Sequence, residues 1–329
     1  MLDLRRVLKR TGSAIAAGIL ALTATSALAA DNYRVGVLIP GSAADSGFME
    51  SGMQGVEAIR ARYGDKVTVQ LIENINYADM EQVITALASQ NDFVAAVSGA
   101  SQNAMAKVAK RFPGKKFALV AGATLGPDAP ANMSQYDVGQ AQIAFLSGAA
   151  MAMMSKTGKI NYVGGLEIPG IVNSGKELER GARHVKPETE VIQTFTGSFD
   201  DVAKAKEATL AAVAQGADMH YHILNLGLKG MEQAARETST VIVGGITARC
   251  GEDPIYTAYS ITGVGHLLEL AVTRYIEGTW EPGSHVFGLA AGPEASGFKI
   301  CGDVDPAITQ KLDEIKQQLI DGTITTARG

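Results

Sequence analysis

In 329 residues there are only two cysteines, Cys250 and Cys301, and a single tryptophan. Two thiols alone do not make a structural zinc site, which takes four ligands. In an oxidising compartment they either pair as a disulfide or stay as two buried thiols, and their spacing in the chain does not decide which. Catalytic signatures are missing as well. No G-x-S-x-G occurs, so nothing supports a nucleophile elbow, and no G-x-x-x-x-G-K-[ST] occurs, so the chain is not itself an ATPase. Gly227-Leu228-Lys229-Gly230 lacks that spacing and reads as a plain helix start. Positive charge is in deficit, 29 Lys and Arg against 34 Asp and Glu for a net −5. Nucleic acid is therefore not expected as a partner, because phosphate binding needs a basic face. After the first thirty residues no apolar run approaches the roughly 20 residues of a membrane-spanning helix.

What is present begins with a leader. Arg5, Arg6, Lys9 and Arg10 precede an apolar stretch, and Ser26-Ala27-Leu28-Ala29-Ala30 supplies small residues for cleavage. Residues 1–30 read as a secretory signal peptide, with the mature chain starting at Ala30 or Asp31. No cysteine lies near that junction, so no lipidated N-terminus is expected, and the mature protein is placed free in the periplasm. Removing the leader takes away four basic residues and one acidic, leaving a more acidic body.

From Asp31 onward short apolar runs alternate with amphipathic stretches. Strands are expected over 33–39, 66–72, 93–97, 116–120, 160–164, 191–195, 219–224 and 240–244. Between them Asp79 precedes Met80, Val83, Ile84 and Leu87 at helical spacing, and Gly158 and Gly216 close later helices. Strand–helix–strand repeats imply parallel sheets covered on both faces, with ligands at the edge where the strands end. The expected architecture is α/β with two doubly wound parallel-sheet lobes joined by a hinge. Lobe 1 takes 31–122 plus 257–283, and lobe 2 takes 123–256 plus 284–329. His220 and His222 alternate on one strand and share a face. They suit either a metal or the polar wall of a cleft, and no third ligand stands out.

The most informative stretch is Gly41-Ser42-Ala43-Ala44-Asp45-Ser46-Gly47-Phe48-Met49-Glu50-Ser51, closed by Gly55. It leaves the first strand and opens the first helix, where small residues bring backbone N–H groups close to a ligand. Phe48 there either stacks on a planar ligand or plugs the core. This stretch resembles the D-K-S-F-N-Q-S-x-x-x-G pattern of the basic membrane protein family of ABC-importer receptors, whose best-known members bind purine nucleosides. The resemblance continues through Lys115-Lys116-Phe117-Ala118, Phe145-Leu146-Ser147-Gly148 and Lys156-Thr157-Gly158-Lys159. It goes on through Gly197-Ser198-Phe199-Asp200-Asp201 and Ala214-Gln215-Gly216-Ala217-Asp218. It implies the type I periplasmic-binding clamshell, a small-molecule ligand, a membrane permease as partner, no cofactor, and a monomer.

Departures from the family pattern bear on the ligand. Met49 stands where nucleoside-binding members have Asn, and Ala121 stands where they have Asp. Gly244-Gly245-Ile246-Thr247 replaces a Gly-Val-Asp, and the position of a later Lys falls near Ile261. Carboxylates that read ribose hydroxyls contribute roughly 1.5–3 kcal/mol each. Their loss points to a planar, less hydroxylated ligand such as a nucleobase. Phe48 is expected to stack on it and Met49 and Ala121 to line it. Asp45 either accepts a ligand N–H or caps the helix. Gly99, Ser101 and Gln102 are expected to offer hydrogen bonds, and Tyr221, His222 and Asn225 to face them from the opposite wall. Glu167 and Thr247 are further candidates in neighbouring loops. Two alternatives remain: a nucleoside receptor with substituted ribose contacts such as Glu167 or His222, and a secreted enzyme using His222 as general base.

Overall fold

The computed structural model describes residues 32–45, 47–244, 246 and 248–327. The expected leader, over 1–30, lies outside them. The first alternation forms β1 (Tyr33–Ile39), α1 (Phe48–Tyr63), β2 (Val67–Glu73), α2 (Met80–Gln90), β3 (Phe93–Val97), α3 (Gln102–Arg111), β4 (Lys116–Val120) and β5 (Met133–Asp137). The second forms α4 (Gln140–Met154), β6 (Lys159–Gly164), α5 (Pro169–Val185), β7 (Glu190–Phe195), α6 (Val202–Ala214), β8 (Met219–Ile223), α7 (Leu228–Thr238) and β9 (Val241–Val243). The chain closes with β10 (Tyr256–Thr262), α8 (Val264–Ile276), β11 (Gly283–Val286), β12 (Ser296–Ile300) and α9 (Pro306–Ile320).

These strands make two six-stranded sheets, ordered β2-β1-β3-β4-β5-β11 and β7-β6-β8-β9-β10-β12. Every neighbouring pair is parallel except β10 with β12. Each sheet repeats the 2-1-3-4-5 order of a doubly wound fold, so each has a switch point at its strand C-termini, beside β1 and β3 or β6 and β8. β3 and β8 are buried at every position, as parallel strands covered on both faces must be. The architecture is the type I periplasmic-binding fold.

Three connections pass between the sheets. Residues 138–139 carry the chain from β5 to α4, Gly263 carries it from β10 to α8, and 287–295 carry it from β11 to β12. α8 returns to the first sheet and lies against α1 so closely that a Cβ on Gly55 would stand 2.5 Å from the Gly265 carbonyl oxygen. In the second half α4 is buried nearly all round, and Gly148 of α4 would put a Cβ 1.9 Å from the Leu178 oxygen of α5. That contact explains the Phe145–Gly148 block: only glycine lets the two backbones touch.

Four strands, β5, β10, β11 and β12, were not expected from the sequence. β5 and β11 pair in the first sheet and β10 in the second. The spans expected for the lobes had put 133–137 and 284–286 with the second and 257–262 with the first. β5 shows why such strands are hard to read. It is fully buried yet reads Met-Ser-Gln-Tyr-Asp, with two of its side chains bonded to neighbouring main chain: Ser134 Oγ donates to the Phe117 carbonyl and Gln135 Nε2 to that of Gly122. Apolar periodicity cannot reveal a strand whose inner positions are polar. Cys250, after β9, is disulfide-bonded to Cys301, after β12, with Cα atoms 5.2 Å apart. No helix among the described residues is long and apolar enough to cross a membrane.

Candidate functional site

The C-terminal strand edges of both sheets border one cavity of about 230 Å³. Its first wall comes from the first sheet. β1 leads into the loop that ends at α1, and there Asp45 is buried with its carboxylate turned onto the helix. Oδ1 accepts from the N–H of Gly47 (2.8 Å) and of Glu50 (3.0 Å), and Oδ2 accepts from Met49 N–H (3.0 Å). Asp45 thus caps α1 and stands outside the cavity lining. Burial pushes its pKa up, against the pull of these three donors. The cap holds Phe48 and Met49 at the cavity. Phe48 also belongs to the core cluster of the first sheet and is only 8 % exposed, so it is both plug and wall.

β3 and β4 end side by side and turn outward through left-handed residues: Ser98 (φ 88°), Ala121 (φ 69°) and Gly122 (φ 96°). Gly99 packs on Gly122, where a Cβ would stand 2.8 Å from the Gly122 Cα. Gly99, Gln102 and Ala121 line the cavity. The amide of Gln102 is engaged with the protein: Oε1 accepts from Ala123 N–H at 2.8 Å and Nε2 donates to the Ala123 carbonyl at 3.1 Å. Ser101 is fully buried behind the wall, its Oγ directed at the Val97 carbonyl at 3.5 Å, and does not reach the cavity.

The second wall is bulkier. After β6 come Ile168 and, at the start of α5, Pro169, Gly170 and Ile171; after β7 comes Phe199, whose ring lies over Gly165. Ile223, Leu224 and Asn225 follow from β8, and Ile246 from the loop after β9. Among the described residues expected for this wall, Asn225 is the one that lines the cavity. Its amide sits beside Asp200 and helps hold that carboxyl down, though Nδ2 reaches no partner at hydrogen-bond geometry. Burial, with Asp45's charge adding, nevertheless raises the Asp200 pKa.

The other expected residues lie elsewhere. Tyr221 is in the core, stacked on Tyr162 with ring centres 6.1 Å apart, and burial pushes its hydroxyl up to about 12. His222 is buried behind Leu224, whose N–H donates to its Nδ1 at 3.3 Å; burial pushes its pKa down to about 3. His220 is bonded within the sheet to Asn161 (3.2 Å) and Thr240 (2.9 Å), its pKa lowered to about 4 by burial. Among the described residues no group of three or more His, Cys, Asp or Glu is placed to hold a metal. Glu167 is exposed and outside the lining, and Thr247 lies outside the described residues.

Sequence reading missed Phe199, the isoleucines and Leu224. One signal was available: Phe199 follows Gly197-Ser198 at a strand end, just before the helix cap Asp201, as Phe48 follows Gly47 after the first strand. Among the described lining residues there is no Asp, Glu, Lys, Arg or His. Ala121 and Ile246, two of the positions where acids were expected to be missing, both face the cavity. Ile261 lies outside it, in a groove on the far side of Ile246.

Residues 32–293 match the model of the Bmp family, described as ABC transporter substrate-binding protein, PnrA-like. The chain belongs to this family. Its members are the substrate-binding proteins of ABC transporters, which act outside the cytoplasm, bind a small ligand and interact with a permease. The chain is 29% identical over 196 residues to a purine-binding protein of Brucella abortus, an alignment covering 59% of this chain and 55%, about half, of that protein. It is 26% identical over 243 residues to the ABC transporter nucleoside-binding protein BmpA of Lactococcus lactis, covering 68% of each. A solute-binding protein of an ABC transporter system from Aeropyrum pernix shares the fold at a TM-score of 0.79 and 22% identity, over 90% of this chain and 94% of that one.

Proposed function

We propose that this Bmp-family protein is the periplasmic receptor of an ABC importer and takes a small, uncharged, planar heteroaromatic ligand, a nucleobase or a close relative. The cavity lining carries the reading: an aromatic side chain from each sheet, Phe48 and Phe199, and no ionisable group among the described lining residues. A charged ligand there would lose its hydration with no counter-ion to replace it, at a cost of several kcal/mol. An aromatic ring gains from stacking instead, by roughly 1–3 kcal/mol per base. Size points the same way, since about 230 Å³ lies below the roughly 300–1,000 Å³ of pockets for drug-sized ligands.

Amides do the polar reading. Asn103, Gln140 and Asn225 line the cavity, while Gln102 is held by Ala123. Ribose hydroxyls would find Ala121 and Ile246 where the family's nucleoside-binding pattern has carboxylates. A nucleoside is the second reading, favoured by the name of the Lactococcus relative, with those amides as its sugar contacts. The enzyme reading has little support: His222, its proposed base, does not line the cavity, and a pKa of about 3 makes it a poor proton acceptor.

In this function the two lobes close about the three inter-sheet connections and the closed form is presented to the permease. The protein works as a monomer, exported by its leader and without a lipid anchor, and has no nucleic-acid partner. Mass spectrometry of ligand released from purified protein, followed by calorimetry with free bases, nucleosides and simple sugars, tests the reading. Bases are expected to bind and sugars not. Sugar binding without any heterocycle binding would refute it.

A further inference from the structure

The first wall carries two turns of small residues, and their shape is not one that backbone adopts unaided. Ser98 and Ala121, neither of them glycine, hold positive φ at the two strand ends, next to Gly122. Such residues persist only where their surroundings over-determine them. Two glutamines provide that here. Gln135, fully buried on β5, donates from Nε2 to the Gly122 carbonyl at 3.0 Å. Gln102 brackets Ala123, accepting from its N–H at 2.8 Å and donating to its carbonyl at 3.1 Å. The two turns are also tied to each other and to the sheet, Ser98 N–H donating to the Val120 carbonyl (3.0 Å) and Ala121 N–H to that of Tyr136 (2.9 Å).

We propose that Gln102 is a positioning residue: it clamps the left-handed turns after β3 and β4 into the shape of the cavity wall and leaves direct ligand contact to other groups. The proposal rests on the cavity being the ligand site. It follows from the geometry that both polar atoms of the amide already have partners on Ala123, although the side chain borders the cavity. With the clamp gone, the binding-competent wall becomes one of several conformations. The apparent dissociation constant then rises by the reciprocal of its population, for every ligand alike. A lost direct contact would act otherwise, speeding release and depending on the polar groups of each ligand.

Gln102→Met keeps length and removes the amide, and Gln102→Glu keeps the acceptor for Ala123 N–H while losing the donor. The first arm is ligand-free: amide hydrogen exchange at Ser98 and Ala121, neither of which bonds to Gln102. Both amides are expected to exchange at least tenfold faster in Gln102→Met and by an intermediate factor in Gln102→Glu. The second arm measures binding of adenine, hypoxanthine and uracil by calorimetry and stopped flow. Affinity is expected to fall tenfold or more, by one common factor, through slower association. Unchanged exchange at both amides would overturn the proposal, as would a loss confined to particular heterocycles and carried by faster dissociation. If the wild type binds none of the three, the proposed function fails while the exchange arm still decides the clamp.

Discussion

The two walls of the cavity are built on opposite plans. Beside Phe48 and Met49, the first offers small residues, Ser98 to Ala100 and Ala121 to Ala123, in turns where Ser98, Ala121 and Gly122 are left-handed. The second offers bulk, with Ile168, Ile171, Phe199, Ile223, Leu224 and Ile246. Main chain held in place supplies directional hydrogen-bonding groups at little cost on binding, because their order is set in advance. Apolar side chains supply area, at roughly 25 cal/mol per Å² buried. With this cavity as the ligand site, as proposed, the difference implies a division of labour in which the first wall sets which ligand shape fits and the second sets how tightly an apolar face is held. Changes in the groups the first wall presents should alter selectivity, whereas loosening its clamp at Gln102, like changes in the second wall, should alter affinity across the board.

The largest expected effect concerns the tether of the second wall. The loop that carries Ile246 has its disulfide four residues further on, at Cys250, and Cys301 lies 51 residues from it in sequence. Closing a loop of that size stabilises the fold by about 4 kcal/mol in the chain-entropy account. Replacing both cysteines by serine should remove about that much in urea unfolding and weaken all ligands together. Equal stability of the double variant would show that the loop is held by its other contacts.

Acid should also distinguish the walls. His220 and His222 lie on β8 behind the second wall and are held neutral, with pKa values of about 4 and about 3 against the ordinary 6.5. Because these folded values are depressed, the unfolded chain binds more protons between pH 6.5 and each folded value. Stability is full above pH 6.5 and falls as pH drops through that window. Each histidine should cost about 3 kcal/mol by pH 4, at about 1.4 kcal/mol per pH unit. Asp45 and Asp200 carry raised values and act with the opposite sign, adding stability at the acid end that is lost as pH rises. Hydrogen exchange between pH 7 and pH 5 should therefore quicken in β8 before β3, and His222→Asn should flatten the dependence by about half. A loss beginning in β3 would contradict the assignment.

The two aromatic residues give a finer contrast. Phe199→Ala should weaken a heterocycle by about 1–3 kcal/mol with the smaller effect on stability. Phe48→Ala should show a similar loss of affinity and, since Phe48 is part of the first core cluster, a fall of about 3–5 kcal/mol in stability. Unchanged affinity for Phe48→Ala, with only the stability lost, would make Phe48 a core residue alone.

Legibility in the sequence followed the same divide. Five of the six expected residues that reached the cavity, Phe48, Met49, Gly99, Gln102 and Ala121, belong to the first wall. Glycine-rich loops after apolar strands mark strand ends, and strand ends mark ligand sites in this architecture. In the second wall, among the described residues, only Asn225 was found, because isoleucine and leucine in a site look like isoleucine and leucine in a core. The same bias ran the other way for Tyr221 and His222, polar residues taken for a wall and found buried with protein partners. The alternating α/β pattern gave the fold, but not β5, β10, β11 or β12; in β5 and β11 buried polar positions or an exposed edge erase the apolar signal.

The central claim is that the cavity reads a flat ring and not a sugar. Calorimetry of the wild type with adenine against adenosine, and hypoxanthine against inosine, tests it most directly. The account predicts that each free base binds as tightly as its nucleoside or more tightly, since Ala121 and Ile246 give the ribose no carboxylate. Nucleosides binding tenfold tighter or better, a difference of about 1.4 kcal/mol, would contradict it.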